Sequence, residues 1–556
     1  MGTGYTVSQG TDPEPFSAEV LGILANGIGP GRDLIIIDAH NAAIDKAGGI
    51  WAGMSGSPVY DENGRLMGAV SYGLAYGPST IAGVTPAEDM VQIMDYPDGS
   101  PQAGAQSVAL SSGMTAKVSA ATGYSSSQSD SMRRLRTPLS VSGASGRGLR
   151  KLGHAVARAK LPFIPYAGSS ASSTAGIDPT PLVPGSSFAG ALSYGDVTLA
   201  GIGTTTYICN GKALAFGHPF LDAGGPTVFG ANSADTIAII DDQFGPYKLA
   251  NVEGTVGRGD QDRFAGIRAI LGDAPPVIPI TTSVTAPTRS RSGESDAVTS
   301  EYVPYVSFIH LISNFDVTRD RIGGGDSELS WRIAGTDAAG NPWQLRRSDV
   351  YSSTRDVSYE SLLEVENEIY AIYSNRFENV KFTSIHVNAS FDDNPQYYTF
   401  QRVRFSADGT HFQRPKNFEI RPGETITVRV TLKENDSEAT RDVTLKLQVP
   451  QTVGRDQIVE LTGGAGRSKG GFGFLGGCYR CGRDPNIDSF QGLLDSFRDA
   501  PHNDELTATL LSSRGKVLWD DKEVLDRVVN GQRVWFFGSS PKGGSSGSSG
   551  SGAPTP

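Results

Sequence analysis

The chain has 556 residues, with Lys plus Arg at 48 against Asp plus Glu at 59 and a formal charge of −11. That length fits about three to four domains, and 38% apolar with 19% charged residues excludes a membrane-embedded or wholly disordered chain. The acidic balance disfavours a phosphate-tracking nucleic-acid binder, no apolar run reaches the ~20 residues of a spanning helix, and three cysteines exclude a disulfide scaffold.

Gly at 69 and Pro at 32, with abundant Ser and Thr, favour short strands and turns over helical bundles, so the chain reads as mainly β. Its opening residues read as strand and turn, not as a signal peptide. Residues 1–108 form a first compact unit. Within it, Leu34 to Ile37 is a strand buried on both faces, and Pro86 to Met94 is a short helix. The stretch 109–180 loosens into Ser/Gly tracts, and strands return from 181 to about 300, including those before and after Cys209. Residues 301–450 hold a helix around Ser358–Asn375 and alternating strands at Ile420–Lys433 and Asp442–Val449, most simply a β-sandwich. A small mixed segment follows over 451–540, and 541–556 is a flexible Gly/Ser tail.

The sharpest local signal is Gly53-Met54-Ser55-Gly56-Ser57-Pro58. A Gly-x-Ser-Gly turn alone is common in ordinary β domains. Here it is followed by the strand Leu66–Gly73, with its Val70-Ser71-Tyr72-Gly73, then by Ala82-Gly83-Val84-Thr85 and the short helix. That succession resembles the nucleophile-bearing barrel of chymotrypsin-like peptidases. The resemblance implies Ser55 as nucleophile, with the N–H groups of Gly53 and Ser55 as the oxyanion hole, each such donor contributing roughly 3–4 kcal/mol to the transition state.

A serine hydroxyl needs a base. Of seven histidines, His218 stands out, because Ala213–Phe220 sets it where an apolar strand meets a Gly/Pro-bounded turn. His310 and His386 read as satisfied strand residues, His154 as helical, and His411 and His502 as loop residues; His40 is the one histidine before Ser55. The base follows the nucleophile in sequence, an order that triad geometry permits.

Gly48-Gly49-Ile50, Gly53–Pro58, Gly68-Ala69-Val70 and the Phe-Gly-His ending at His218 together resemble the SpoIVB-type serine peptidases over roughly residues 1–300. The resemblance implies a double β-barrel, Ser55 as nucleophile, His218 as general base and an extracytoplasmic setting. The sporulation enzyme has its His before its Ser and a PDZ module upstream, so this chain looks like a permuted branch. The family's Asp register before the Ser holds His40 here. Asp38, on the same strand face, is the expected third triad member, with Asp222, Asp242 and Asp262 as rivals.

Cys478-Tyr479-Arg480-Cys481 is half a zinc or redox motif without further ligands nearby, and reads as a local disulfide or free thiols. The glycine run at 463–477 lacks a P-loop ending, and Asp260-Gln261-Asp262 reads as a solvated turn rather than a calcium site. No cofactor or metal is expected. The expectation is a restricted serine endopeptidase acting on a protein or peptide, itself included, with an apolar preference suggested by Gly49, Ile50 and Trp51. Its accessory β domains would hold a protein or envelope partner. The alternative is a non-catalytic extracytoplasmic scaffold on the same fold.

Overall fold

The computed structural model describes residues 1–97, 107–158, 160–171, 176–223, 226–242, 245–452, 456–464 and 487–537. The Cys478–Cys481 motif, most of the glycine run and the Gly/Ser tail lie outside them.

Strands β1 (Gly2–Thr6), β2 (Glu14–Gly29), β3 (Arg32–His40), β4 (Pro58–Asp61), β5 (Leu66–Leu74) and β6 (Ile81–Pro86) pair antiparallel in the circuit β1-β2-β3-β6-β5-β4, which closes when β4 returns to β1. Short helices α1 (Ala42–Lys46) and α2 (Ala87–Val91) punctuate the barrel. Strand β3 shows why its apolar run is continuous. Ile37 and Ala39 enter the barrel core with Phe16, Val59, Val70 and Val84, while Leu34 and Ile36 pack on the other side with Met114 and Val118 of α3 (Ser112–Thr122). Helix α3 is capped by Ser111 and ends on Gly123 at φ +72°, so a stretch expected to be loose is partly helical. Strands β7 (Ser107–Ala109) and β8 (Ser131–Arg134) extend the first sheet past β5, carrying it beyond the expected limit at 108.

The chain then crosses over. β9 (Thr137–Val141), helix α4 (Gly146–Arg158) and β10 (Phe163–Ala167) lie on a second system. There β11 (Ser187–Gly195), β12 (Leu199–Cys209), β13 (Lys212–Ala215), β14 (Pro226–Ile240), β15 (Tyr247–Arg263) and β16 (Gly266–Leu271) close a second antiparallel circuit, β11-β12-β13-β16-β15-β14. Phe188, Phe216, Phe220 and Phe229 pack edge and face within it, with ring centroids 5.2–6.1 Å apart.

Residues 278–392 join this second sheet. β17 (Ile278–Thr285) and β18 (Ser290–Ala297) continue from β11, and β19 (Gly325–Thr336), β20 (Pro342–Ser353) and β21 (Lys381–Asp392) complete the extension. Two helices pack on it, α5 (Val303–Arg319) and α6 (Val357–Tyr373). The sequence around His310 predicts a strand, and the structure forms helix α5 there instead. The helix is buried nearly all round, so the 3.6-residue alternation that would have marked it as helix is missing.

The sandwich begins only at β22 (Tyr397–Ser406), which pairs with β23 (Thr425–Glu434), itself paired with β24 (Thr440–Gln448). Across from it stand β25 (Gln457–Gly463), β26 (Glu505–Ser512) and β27 (Val517–Val524); β28 (Val528–Asn530) edges the first sheet and β29 (Gln532–Phe537) the second. Ile426, Val428, Val430 and Leu432 alternate inward to meet Val459, Leu461, Leu506 and Leu510. Helix α7 (Phe490–Arg498) packs its apolar side on β20. The fold is thus mainly β, a double barrel followed by a sandwich. The sandwich draws on residues 397–537, whereas the expected module over 301–450 is split between two sheet systems.

Candidate active site

Ser55 sits on the loop between α1 and β4. Gly53 and Gly56 both have φ +99°, a region that disfavours any side chain; a Cβ at Gly56 would lie 1.9 Å from the Thr204 carbonyl oxygen. The loop closes on itself through Met54 N to Trp51 O (3.1 Å) and Ser57 N to Met54 O (2.9 Å). The second barrel then clamps it. Thr204 donates its N–H to Ser55 O (2.8 Å) and its Oγ1–H to Gly53 O (2.9 Å), and Thr206 Oγ1 donates to Gly56 O (2.7 Å). Ala52 bridges into β15 as well, donating to Pro246 O (2.9 Å) and accepting from Lys248 N (2.8 Å). Among the described residues, the N–H groups of Gly53 and Ser55 take no part in these backbone bonds, which leaves both donors available to an oxygen beside Ser55 Oγ.

His218 lies on the turn after β13. Phe216 and Gly217 both have positive φ (69° and 65°), which swings the ring out of the strand direction. The first barrel holds this turn through Thr85 Oγ1, which donates to Gly217 O (2.7 Å) and is hydrogen-bonded to Ser71 Oγ (2.7 Å). His218 Nε2 stands 2.8 Å from Ser55 Oγ, and Nδ1 stands 2.7 Å from the carbonyl oxygen of Pro219. A carbonyl can only accept, so Nδ1 carries the proton of the neutral ring and Nε2 offers its lone pair to the serine hydroxyl. That is the tautomer a general base requires. Ser55 is 1% exposed and His218 0%. Burial, reinforced by the nearby Arg134 cation, pushes the His218 pKa down to about 3 against the smaller opposing effects of Pro219 O and Asp222.

The carboxylates fall otherwise than expected. Asp38 pairs with His40 Nε2 (3.1 Å), and the position opposite Nδ1 belongs to a backbone carbonyl, so Asp38 is not a partner of His218. Asp222 forms a two-pronged pair with Arg134 (2.6 and 2.8 Å), and Asp242 lies on the loop after β14. Asp262 is not in a solvated turn but at the end of β15, fully buried. It accepts from the N–H groups of Phe220 and Leu221 (2.8 Å each) and Ala223 (3.0 Å). It therefore shapes the loop that carries Pro219 without touching the imidazole. Desolvation raises its pKa to about 6 despite those three donors. Asp260 pairs with Arg268 at 2.7 Å, and no cluster of three or more metal-ligating side chains occurs among the described residues.

The other histidines lie elsewhere. His310 is buried on α5 between Thr282 (3.1 Å) and Ser295 (2.8 Å), and His386 on β21 bonds Thr281 at 2.9 Å. Sequence reasoning missed the anchoring threonines and the Pro219 carbonyl. Thr204 and Thr206 share one face of β12 by their spacing, a signal the Gly203–Tyr207 run contains. A backbone acceptor has no side-chain signature at all.

Searches of the curated proteins and of the solved structures gave no significant match. Residues 3–91, which span the first barrel and the Ser55 loop, match the family model described as SpoIVB peptidase S55.

Proposed function

We propose that the protein is a serine endopeptidase working by acyl transfer at Ser55. The reading rests above all on one observation: the 2.8 Å contact of Ser55 Oγ with a His218 ring whose other nitrogen is committed to a carbonyl. Ser55 Oγ attacks a peptide carbonyl carbon as His218 Nε2 takes its proton, and the oxyanion settles on the N–H groups of Gly53 and Ser55. His218 returns the proton to the departing amine, the C–N bond breaks, and water repeats the sequence to release the acid. Pro219 O and, behind it, the Asp262-organised loop hold the ring in place of a carboxylate. The reading extends to a permuted branch of the SpoIVB-type enzymes, an extracytoplasmic setting, and accessory β modules that engage a protein or envelope partner. No helix among the described residues is long and apolar enough to cross a membrane.

A fluorophosphonate probe, with the adduct mapped by mass spectrometry, tests the assignment. Labelling of Ser55 that vanishes in folded His218→Ala supports it; labelling that persists in that variant refutes the general-base role. The complete burial of Ser55 and His218 favours a second reading, a scaffold that keeps the site closed and never turns over.

A further inference from the structure

We propose that residues 131–138 occupy the protein's own substrate groove, making the closed site that of a self-covered enzyme and giving the chemistry of its substrates; this rests on the peptidase reading above. Strand β8 runs antiparallel along the end of β5 that lies beyond its pairing with β4, with Leu74 opposite Met132, Gly73 opposite Arg133 and Tyr72 opposite Arg134. The ladder continues as Leu135 N donates to Ser71 O at 3.0 Å. An extended peptide paired by its backbone, with alternate side chains dropped into pockets, is how a sheet edge takes a peptide.

Alternate side chains of this segment then turn inward. Leu135, 8% exposed, joins the apolar cluster of Ile50, Trp51 and Met54 that leads directly into Ser55. A Cβ at Gly73 would come within 3.0 Å of Leu135 Cδ2, so that glycine leaves room for the leucine. Arg134 is gripped by Asp222, four residues beyond His218, with its side chain 3% exposed. Met132 is buried with Tyr72 and Leu74, while Arg133 faces solvent. Beyond Leu135 the chain passes the oxyanion loop, where Pro138 Cγ lies 3.4 Å from the point a Cβ on Gly53 would take. The segment thus enters along β5, lays one side chain beside the nucleophile and leaves past Gly53, the course of an extended polypeptide through the site. The groove would accept an extended segment of the form apolar–any–Arg–leucine-sized apolar, once the resident strand has moved away.

The test compares fluorophosphonate labelling of Ser55 in the full wild-type chain with that in Leu135→Gly and Arg134→Gln. The second keeps a polar side chain on the same three-carbon stem and carries the comparison if the first fails to fold. If the covered state dominates, reactivity is reduced by the open fraction, and the variants should label at least about tenfold faster. Adding His218→Ala should abolish that labelling. The loosened variants should also release aminomethylcoumarin from Met-Arg-Arg-Leu at least about tenfold faster than from Met-Arg-Glu-Asp. Equal, His218-dependent labelling of wild type and variants would overturn the self-covering and leave the peptidase standing. Faster cleavage of the acidic peptide would overturn the groove assignment. Folded variants that never label would remove the peptidase reading, and this proposal with it.

Discussion

Lys248→Met tests whether the cation behind the serine loop is a structural cost or a second base. Lys248 is completely buried on β15, with Nζ 3.1 Å from Ser187 Oγ and 3.4 Å from Thr204 Oγ1. Desolvation, weakly opposed by Glu14, takes its pKa from 10.5 to about 7. A lysine with a depressed folded pKa binds fewer protons in the folded than in the unfolded state between those values, so stability rises with pH across that window. The depression corresponds to about 5 kcal/mol of cost, fully present below pH 7 and gone above about 10.5. Methionine removes that cost and loses two hydrogen bonds worth about 0.5–1.5 kcal/mol each, from hydroxyls that keep other partners. The expected result is a gain of about 2–4 kcal/mol at pH 6 that shrinks to nothing or reverses by pH 10.5, read from urea denaturation of both proteins at a series of pH values. A difference constant from pH 6 to 10 would refute the buried-charge argument. Because Nζ contacts Ser187 and Thr204 and not Ser55, probe labelling in Lys248→Met should stay within a few-fold of wild type. A collapse of labelling with the fold intact would make the lysine part of the chemistry.

Four further outcomes follow from the same geometry. His218, with its pKa held at about 3 against an ordinary 6.5, leaves the folded state short of a proton between those values. His218 should therefore contribute a fall in stability of about 1.4 kcal/mol per pH unit as pH drops below 6.5, alongside the buried His310, and the pH slope of His218→Leu should be shallower by about that amount. Gly56→Ala would force a Cβ into Thr204 O at an unfavourable φ, and Ser55 labelling should drop by at least about a hundredfold while far-UV circular dichroism is retained. Asp38→Ala should leave labelling within about twofold, since its partner is His40; a hundredfold loss would return it to the catalytic centre. Asp262→Ala strands the buried Phe220 N–H at about 1–3 kcal/mol and releases the part-buried N–H groups of Leu221 and Ala223, so both thermal stability and labelling should fall, whereas a silent phenotype would sever that loop from the histidine.

What could be read from the chain was what side chains announce. The Gly53–Pro58 turn needs two glycines at positive φ around one serine, and both the residues and their spacing are visible in sequence. His218 was legible because an apolar strand, β13, ends abruptly at a Gly/Pro-bounded turn. The partner of Nδ1 was not, because any residue supplies a carbonyl and only the fold aims the one from Pro219. Asp262 looked solvated beside Asp260 because a short acidic run usually is. Its burial comes from three N–H groups on a loop some forty residues earlier in the chain. Helix α5 was hidden for the opposite reason: it is buried nearly all round, its few polar side chains included, so it has no solvent face and periodicity carries no information. The sheet runs past residue 300 because β21 pairs in parallel with β17, an extension that no linker or change of composition marks.

The two halves of the site are each finished by the opposite barrel. The first barrel contributes Ser55, but the carbonyls of Gly53, Ser55 and Gly56 are fixed by Thr204 and Thr206 of the second. The second contributes His218, but its turn is fixed by Thr85 and Ser71 of the first. Neither half is organised unless the barrels are docked, so the order of Ser and His along the chain matters less than the interface that joins them. That interface has to be crossed once by the polypeptide, and the crossing runs from β8 to β9, through Leu135 and past Gly53. The same short segment thus connects the barrels, completes the β5 edge and seals the nucleophile from water. A perturbation that frees it also reaches one clamp, because Leu135 N donates to Ser71 O and Ser71 Oγ is hydrogen-bonded to the Thr85 anchor, whereas Thr204 and Thr206 hold the serine loop through bonds of their own.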